Sequence, residues 1–403
     1  MNGSTPLYSQ LLGFFSQYSQ AKDWRHLKTL SWMVSALIGS GKLSLPEWEP
    51  YVVSTATQSQ SYERRWRRFM SNGQINVEKI YLPLVMAALS GWKNHRLYLA
   101  IDTTMLWNKY CMIHLSIVCC GRAVPLLWHV LEHESATVAF CDYKPLLRQA
   151  RWLLRKYPNV MLLADRAFAS HDLMTWLTAT NWHYALRLKC DVVLHGVKRH
   201  PVTVGKLYPL VNQAQLLTRA FRGKLPPKTS LTNVGIWADG FHRTNLVLAT
   251  VTGAKDSWAV ITDQPPSLQT LRHYSLRFCV EELFLDSKSG AFGLTDSRLR
   301  DVGAIKRLYL IAAVAVLYAT MIGLTVQIAG LRTTVDPHWR RGLSYLKIGL
   351  RYLRGVINKG RKLLIPTPLR SRDPEPCFSN PKSELDFSGL IWFSRISAIS
   401  CKT

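Results

Sequence analysis

Acidic residues are scarce in this sequence. The 403 residues include 25 Asp and Glu against 51 Lys and Arg, which gives a formal net charge of +26 at pH 7. A surplus of this size repels itself in a compact state, so we expect a polyanionic partner. Nucleic acid is the first candidate and an anionic membrane surface the second. The alternative is a charge that only keeps the protein soluble. Apolar residues make up 48% of the chain, which excludes a disordered tail.

Paired cysteines are missing as well. None of the eight cysteines belongs to a CxxC motif, and Cys119 and Cys120 lie inside an apolar run. This pattern argues against a disulfide framework or a zinc ribbon and favours reduced, buried thiols. The N-terminus lacks the basic start and long apolar core of a secretory signal. We therefore expect a cytoplasmic protein.

Long uncharged segments are absent with one exception. Residues 308–331 carry no charge and are long enough to span a bilayer. The other interpretation is a helix buried on most sides in a large soluble protein. The segment is the only one of its kind, and Tyr309, Tyr318 and Gln327 make it less apolar than most lone anchors. These features favour burial, so we expect no membrane partner.

The first 95 residues are predicted to be helical, because apolar residues recur there every three or four positions. Within them, the segment SYERRWRRFMSN surrounds Trp66 with four arginines. These are Arg64, Arg65, Arg67 and Arg68. Such a run is either a solvated helix face or a surface for phosphate contact. The interleaved aromatics, and the lack of a nearby acid other than Glu63, lean toward phosphate contact.

From residue 96 the sequence changes to apolar runs typical of strands, and two of them, RLYLAID and NVMLLAD, end on Asp102 and Asp165. Amphipathic segments predicted to be helices lie between the strands, which indicates a mixed α/β sheet. Residues 190–262 are rich in Val, Thr, Gly and Pro and are predicted to form a β-rich insertion. The predicted parts of the chain are 1–95, 96–189, 190–262, 263–332 and a basic helical region with its tail, 333–403.

The segment YSLRFCVEELFLDSKSG is predicted to be one helix, preceded by Ser267 as a possible N-cap. Tyr274, Arg277, Glu281 and Lys288 stand at offsets of 0, 3, 7 and 14, so they would share one helix face. An aromatic, two cations and a carboxylate are thereby aligned on one side.

Three acids suggest a metal site. Carboxylates at the edge of an apolar sheet are costly to desolvate and repel each other, and a divalent metal would offset both effects. Asp102, Asp165 and Glu281 could together hold two metal ions about 3.5–4 Å apart, an arrangement used in phosphoryl transfer. The alternative is that each Asp only caps a following turn.

The motifs IDTT around Asp102, ADRAF around Asp165, and Y-x2-R-x3-E-x6-K from Tyr274 to Lys288 resemble the DDE transposases of bacterial insertion sequences. They are most similar to the cut-and-paste group with the YREK signature. The resemblance covers roughly residues 96–290. It implies an RNase-H-like mixed sheet core interrupted by a β-rich insertion, with a helical N-terminal DNA-binding region and a helical C-terminal region.

The resemblance also implies roles for individual residues. Asp102, Asp165 and Glu281 would hold two Mg²⁺ ions, for which Mn²⁺ can substitute, and would act in catalysis. The residues that would contact DNA are Tyr274, Arg277, Lys288, Trp258, Arg166, Arg64, Arg65, Arg67 and Arg68. Trp258 would stack a flipped base, although ordinary strand packing explains it equally well, and Arg166 either contacts DNA or pairs with a carboxylate.

The implied partner is double-stranded DNA of two kinds: the terminal inverted repeats of the element and the target DNA. The protein would act as a homodimer in that complex, associated with the bacterial nucleoid, and the basic segment 344–362 would add DNA or dimer contacts. Three other functions remain open. One is a nuclease on the same core without strand transfer, another is a non-catalytic DNA-binding derivative, and the third is a membrane-anchored basic protein built on residues 308–331.

Overall fold

The computed structural model describes most of the chain. The described residues are 5–52, 58–197, 199–207, 214–216, 230–237, 242–251, 257–287, 292–297, 299–370 and 391–394. Within them the protein is a mixed α/β fold with ten α-helices and one large mixed sheet.

Helices precede the first strand. They are α1 (Pro6–Tyr18), α2 (Trp24–Ser40), α3 (Ser59–Ser71) and α4 (Val77–Ala88). The side chains of Thr5, Asp23 and Asn76 cap α1, α2 and α4 by accepting hydrogen bonds from backbone N–H groups that the helix leaves without a partner. Gly41, at φ 73°, ends α2 in the left-handed conformation. The helices predicted from the spacing of apolar residues near the N-terminus are confirmed.

Five strands form the first half of the sheet. They are β1 (Leu97–Leu106), β2 (Tyr110–Cys119), β3 (Arg122–Glu132), β4 (Val160–Ala164) and β5 (His183–Arg187). Their order is β3-β2-β1-β4-β5, in which β1, β2 and β3 are antiparallel and β1, β4 and β5 are parallel. The helix α5 (Phe140–Leu153) lies between β3 and β4 in the chain, and α6 (His171–Thr180) lies between β4 and β5. The strands and helices predicted for this part of the chain are confirmed.

Asp102 and Asp165 stand next to each other across two parallel strands. In the register of β1 and β4, Ile101 lies opposite Ala164, and the two acids are the residues that follow. The prediction that β1 ends on Asp102 is wrong, because antiparallel pairing with β2 keeps the strand extended as far as Leu106. Asp165 does follow the end of β4 directly, as predicted.

The remaining strands continue the same sheet beyond β5. They are β6 (Val193–His195), β7 (Val202–Thr203), β8 (Ala214–Leu216), β9 (Ser230–Ile236), β10 (His242–Val251), β11 (Trp258–Thr262) and β12 (Ile391–Ser394). β11 pairs antiparallel with β5, and β10, β9, β6 and β7 follow in that order. β12 pairs with β10 and β8. The β-rich stretch between residues 190 and 262 is therefore joined edge to edge with the first five strands.

The helix predicted to start before Tyr274 is two helices, α7 (Leu268–Ser275) and α8 (Phe278–Leu285). Between them the N–H groups of Leu276 and Arg277 donate to carbonyls only three residues back, which is a tighter turn than an α-helix makes. The prediction of one continuous helix is therefore wrong, whereas Ser267 does occupy the N-cap of α7.

The apolar segment forms α9 (Val302–Ile328), which packs along α10 (Tyr345–Lys359). In the most apolar 18-residue window of α9, 94% of the residues are buried inside the fold. Among the described residues it is the one helix long and apolar enough to cross a bilayer. The interpretation of this segment as a buried core helix is confirmed. Gly323 and Gly349 lie where the two helices cross, and the backbone of each meets the backbone of the other helix.

Candidate active site

Arg277 joins two of the three acids. Its guanidinium donates from one nitrogen to Asp102 Oδ2 at 2.9 Å and from another to Glu281 Oε1 at 2.6 Å. The side chains of Arg277 and Asp102 are 5% and 17% exposed, whereas that of Glu281 is 49% exposed. The turn between α7 and α8 points Arg277 toward β1, and the first turn of α8 carries Glu281 beside it. One buried cation therefore pairs with two carboxylates from distant parts of the chain.

Burial raises the pKa of Asp102 to about 6. Arg277 and the backbone N–H of Thr103, which donates to Asp102 Oδ1 at 2.8 Å, act in the opposite direction. The charges of Glu281 and Asp165 raise the pKa of Asp102 further. Asp102 therefore lies within electrostatic reach of both other acids, and the register of β1 and β4 places Asp165 beside it.

The acids do not form a complete coordination sphere. Among the described residues, no group of three or more His, Cys, Asp or Glu side chains stands close enough to hold a metal ion. Arg277 lies between Asp102 and Glu281, while Asp165 accepts a hydrogen bond from the backbone N–H of Arg166. Holding a metal ion there requires Arg277 to move away.

Trp258, Tyr274 and Phe278 form an aromatic cluster behind Arg277. The Trp258 ring lies 4.9 Å from the Tyr274 ring and 5.6 Å from the Phe278 ring, with which it stacks. Trp258 is 4% exposed and Tyr274 is fully buried. The guanidinium of Arg277 lies 4.5 Å from the centre of the Phe278 ring. In this conformation neither Trp258 nor Tyr274 is open to a DNA strand, and the packing alternative for Trp258 accounts for its position.

The four arginines of α3 are exposed. Tyr62, Trp66 and Phe69 form the buried side of this helix, and Trp66 packs edge-on against Trp48 at 5.6 Å. On the outer side, Arg67 donates to Glu63 and the Arg65 guanidinium lies 5.1 Å from the centre of the Trp32 ring. The exposed set is Arg64, Arg65, Arg67 and Arg68. This helix therefore presents a basic face to solvent.

Two other residues were predicted to contact DNA. Arg166 is partly buried and directly follows Asp165, at the edge of the sheet that carries the acids. Lys288 lies outside the described residues.

No sequence pattern indicates that Arg277 contacts Asp102, because the two residues are 175 positions apart. The contact of Arg277 with Glu281 did leave a signal, since the two residues have the i,i+4 spacing of a helical ion pair.

One family of known proteins matches this part of the chain. The sequence matches a family described as a transposase DDE domain over residues 106–318, which is more than half of the chain. The match includes Asp165 and Glu281 and begins just after Asp102. A search of curated proteins found no match. Proteins of this family act on DNA and generally use divalent metal ions. The chain belongs to the DDE transposase family.

Proposed function

We propose that this protein is a transposase of the bacterial insertion-sequence type, which cuts DNA at the ends of its element and joins the freed ends to a target. The observation that carries the proposal is Arg277, which is buried between Asp102 and Glu281, with Asp165 close enough to raise the pKa of Asp102. Arg277 supplies the positive charge that Asp102 and Glu281 need as long as no metal ion lies between them.

The order of the first five strands supports an RNase-H-like core. Three antiparallel strands are followed by two parallel ones, and the parallel strands are connected through α5 and α6. The strands β6 to β11 lie between Asp165 and Glu281, where the β-rich insertion is expected. The helices before β1, with the exposed arginines of α3, are suited to gripping the terminal repeat.

The donor set fits a divalent metal of the magnesium type. Asp102, Asp165 and Glu281 offer carboxylate oxygens only, and these are the ligands that Mg²⁺ and Mn²⁺ prefer. When bound, two such ions would activate water and stabilise the leaving oxygen in phosphoryl transfer. The burial of Asp102 keeps bulk water away from that side of the site.

Arg277 has two roles in this proposal. Before DNA binds, it forms ion pairs with Asp102 and Glu281. Once these carboxylates have another cation, the guanidinium is released and can grip a DNA phosphate with two parallel hydrogen bonds. Arg277 thus pairs with the acids, as its ion pairs show, and contacts DNA, as the YREK resemblance implies. Tyr274 would hold the arginine stem by packing and would contact DNA only after the same movement.

The experiment that tests the function uses the purified protein and DNA carrying the inverted repeats that flank its coding region. With Mg²⁺ we expect cleavage at the repeat ends and joined products with a second DNA, and with EDTA we expect neither. Cleavage without joined products would identify a nuclease. Specific binding of the repeat without cleavage would identify a non-catalytic derivative. We further propose a homodimer in the DNA complex and a location at the nucleoid.

Replacing Arg277 with Gln should lower the stability of the protein and enlarge the stabilisation that Mg²⁺ gives. The substitution leaves Asp102 and Glu281 without their shared cation, at a cost of roughly 3 kcal/mol. A metal ion bound at the same place would restore much of this, because ligands that bind only the folded state raise its stability. The melting temperature, measured with and without Mg²⁺, reports both effects without any DNA.

Arg67→Gln is the matched control, since Arg67 also pairs with a Glu four residues away but is 70% exposed. It should change stability by about 0.5 kcal/mol or less and leave the effect of Mg²⁺ unchanged. An equal Mg²⁺ shift in the wild type and in Arg277→Gln would contradict a shared position of arginine and metal.

Metal affinity should fall as the pH falls through 6. The pKa of Asp102 is raised to about 6, so its carboxylate is mostly ionised at pH 7 and mostly protonated at pH 5. Because the metal requires the ionised form, affinity at pH 5 should be about tenfold lower than at pH 7. Calorimetric titration in two buffers of different ionisation enthalpy also counts the protons. About half a proton should leave per binding event at pH 6, and almost none at pH 7.5. A constant affinity from pH 5 to 7 would be inconsistent with Asp102 as a ligand.

A further inference from the structure

A rigid loop between α9 and α10 is built around one buried acid. Asp336 is 1% exposed. It accepts hydrogen bonds from the ring Nδ1 of His338 at 2.6 Å, from the backbone N–H of Gly342 at 3.0 Å and from Arg332 at 3.3 Å. Burial opposes the ionisation of Asp336, but these donors outweigh it and its pKa is lowered. The carboxylate therefore holds both ends of the loop together.

Arg332 fixes the middle of the same loop. Its guanidinium donates to the carbonyl oxygens of His338 at 2.8 Å, of Trp339 at 3.1 Å and of Arg340 at 3.2 Å. Three successive carbonyl groups thus converge on one cation, and the arginine side chain itself is only 15% exposed. The contacts of Asp336 and Arg332 with backbone groups hold the conformation of residues 336–342. The side chain of Trp339 takes no part in these contacts.

The side chains at the tip of the loop point outward. Trp339 is 71% exposed, which makes it the most exposed tryptophan among the described residues. The Arg340 guanidinium lies 4.9 Å from the centre of its ring. An indole in this position adds little to the core of this protein, so its large apolar surface is available to a partner.

The surroundings of the loop are basic. Residues 302–370 contain twelve Lys and Arg and a single acid, Asp336, which is the buried one. Arg351 donates to the carbonyl of Val335, and Arg361 donates to the carbonyl of Thr334, so two further cations stand at the base of the loop. A partner for this surface must be anionic and must offer a flat apolar group to the indole. A second copy of the same surface would repel it.

We propose that residues 336–342 are a DNA-binding loop, in which Trp339 stacks on an unpaired base and Arg340 binds an adjacent phosphate. The proposal rests on the proposed function only in taking DNA as the substrate. Stacking of a base on an aromatic ring tolerates any sequence, and phosphate contacts carry none. The loop therefore recognises distorted or unpaired DNA, such as strand ends and junctions, and not a particular repeat.

Binding measurements without divalent metal test this loop apart from catalysis. The probes are a labelled duplex and the same duplex with one unpaired base, and fluorescence anisotropy gives the dissociation constants. Trp339→Ala should weaken binding to the duplex with the unpaired base about tenfold and to the plain duplex far less. Trp339→Phe should retain most of the affinity, because it keeps a ring. Arg340→Ala should weaken both probes and reduce the salt dependence of binding by about one ion.

Trp152 provides a matched control within the same chain. It is 64% exposed, and Arg155 lies 4.5 Å from the centre of its ring, but it stands on α5 and not on a loop held by a buried acid. Trp152→Ala should leave both affinities unchanged. The proposal is overturned if Trp339→Ala behaves like Trp152→Ala. It is also overturned if Trp339→Ala instead abolishes self-association in sedimentation, or binding to vesicles of anionic phospholipid, with DNA binding intact. A wild-type protein that cuts DNA but has no preference for the unpaired base would refute the loop alone, whereas a wild-type protein that has the preference but never cuts would refute only the proposed function.

Discussion

Replacing Glu281 with Gln should abolish metal-dependent DNA cleavage while the protein remains folded. Gln keeps the size and the hydrogen-bonding oxygen of Glu, but it lacks the charge that a divalent cation requires. Loss of groups that merely support a metal ligand costs about ten- to a hundredfold in activity, so loss of a ligand itself should cost about a hundredfold or more. Cleavage of end DNA in the presence of Mg²⁺ measures this loss.

The structure supports the expectation that the fold survives this change. Glu281 is half exposed and contacts Arg277, which retains Asp102 as a partner. The amide oxygen of the substituted side chain can still accept a hydrogen bond from the guanidinium, so the melting temperature should change little. DNA binding without metal should also persist, because the arginines of α3 that are proposed to contact DNA are unaffected.

Glu282→Gln is the control for this experiment. Glu282 follows Glu281 on the same helix and is exposed to a similar degree, at 48%. It points about 100° away around the helix and pairs with Arg122 at 3.2 Å. Glu282→Gln should leave cleavage within about threefold of the wild type, as expected for a partly exposed ion pair of small worth. Equal losses in the two variants, or full activity in Glu281→Gln, would remove Glu281 from the site.

Replacing Gly349 with Ala should strongly destabilise the protein. A Cβ atom on Gly349 would overlap the carbonyl oxygen of Ala319 on α9, and one on Gly323 would overlap the carbonyl oxygen of Tyr345. Both obstacles are backbone atoms of helices, so the two helices would have to separate. We expect a loss of roughly 3 kcal/mol or more, at the upper end of the range for overpacked cores. Thermal unfolding followed by circular dichroism measures the change.

Gly13→Ala is its control, because it makes the same substitution inside another helix. Gly13 is an exposed residue of α1, and a Cβ atom there meets nothing within 4 Å. Alanine is the better helix former by about 0.5–1 kcal/mol, so this variant should be slightly more stable than the wild type. Two Gly→Ala substitutions in helices are thus expected to act with opposite signs. Similar effects of both would show that the α9–α10 crossing has room for a methyl group.

Local patterns in the sequence predicted the elements well where one pattern governs an element. The strands around Asp102 and Asp165 were identifiable because their apolar runs are buried on both sides. The buried state of α9 was indicated by the hydroxyl and amide side chains in its sequence. The exposed arginines of α3 followed from the alternation of basic and aromatic residues.

Features that depend on distant contacts were not predictable in this way. The break between α7 and α8 is not marked by Pro or Gly at Leu276 or Arg277. It occurs where Arg277 contacts Asp102, which lies on a strand far away in sequence. The extension of β1 past Asp102 depends on pairing with β2. Nothing near Trp258 indicates that Tyr274 and Phe278 cover it, and nothing near Trp339 indicates that Asp336 and Arg332 fix its loop.

The close contact of α9 with α10 has a consequence for shortened forms of the chain. A product that stops soon after Ile328 would contain the complete set of acids but would lack the helix that covers one side of α9. From Leu308 to Ile328 the helix carries no charge, α9 is long and apolar enough to cross a lipid bilayer, and Gly323 would lose the backbone of Tyr345 that packs against it. Such a fragment would be drawn to membranes or to other copies of itself, so truncation soon after Ile328 is expected to yield an insoluble protein, although all three acids precede the cut.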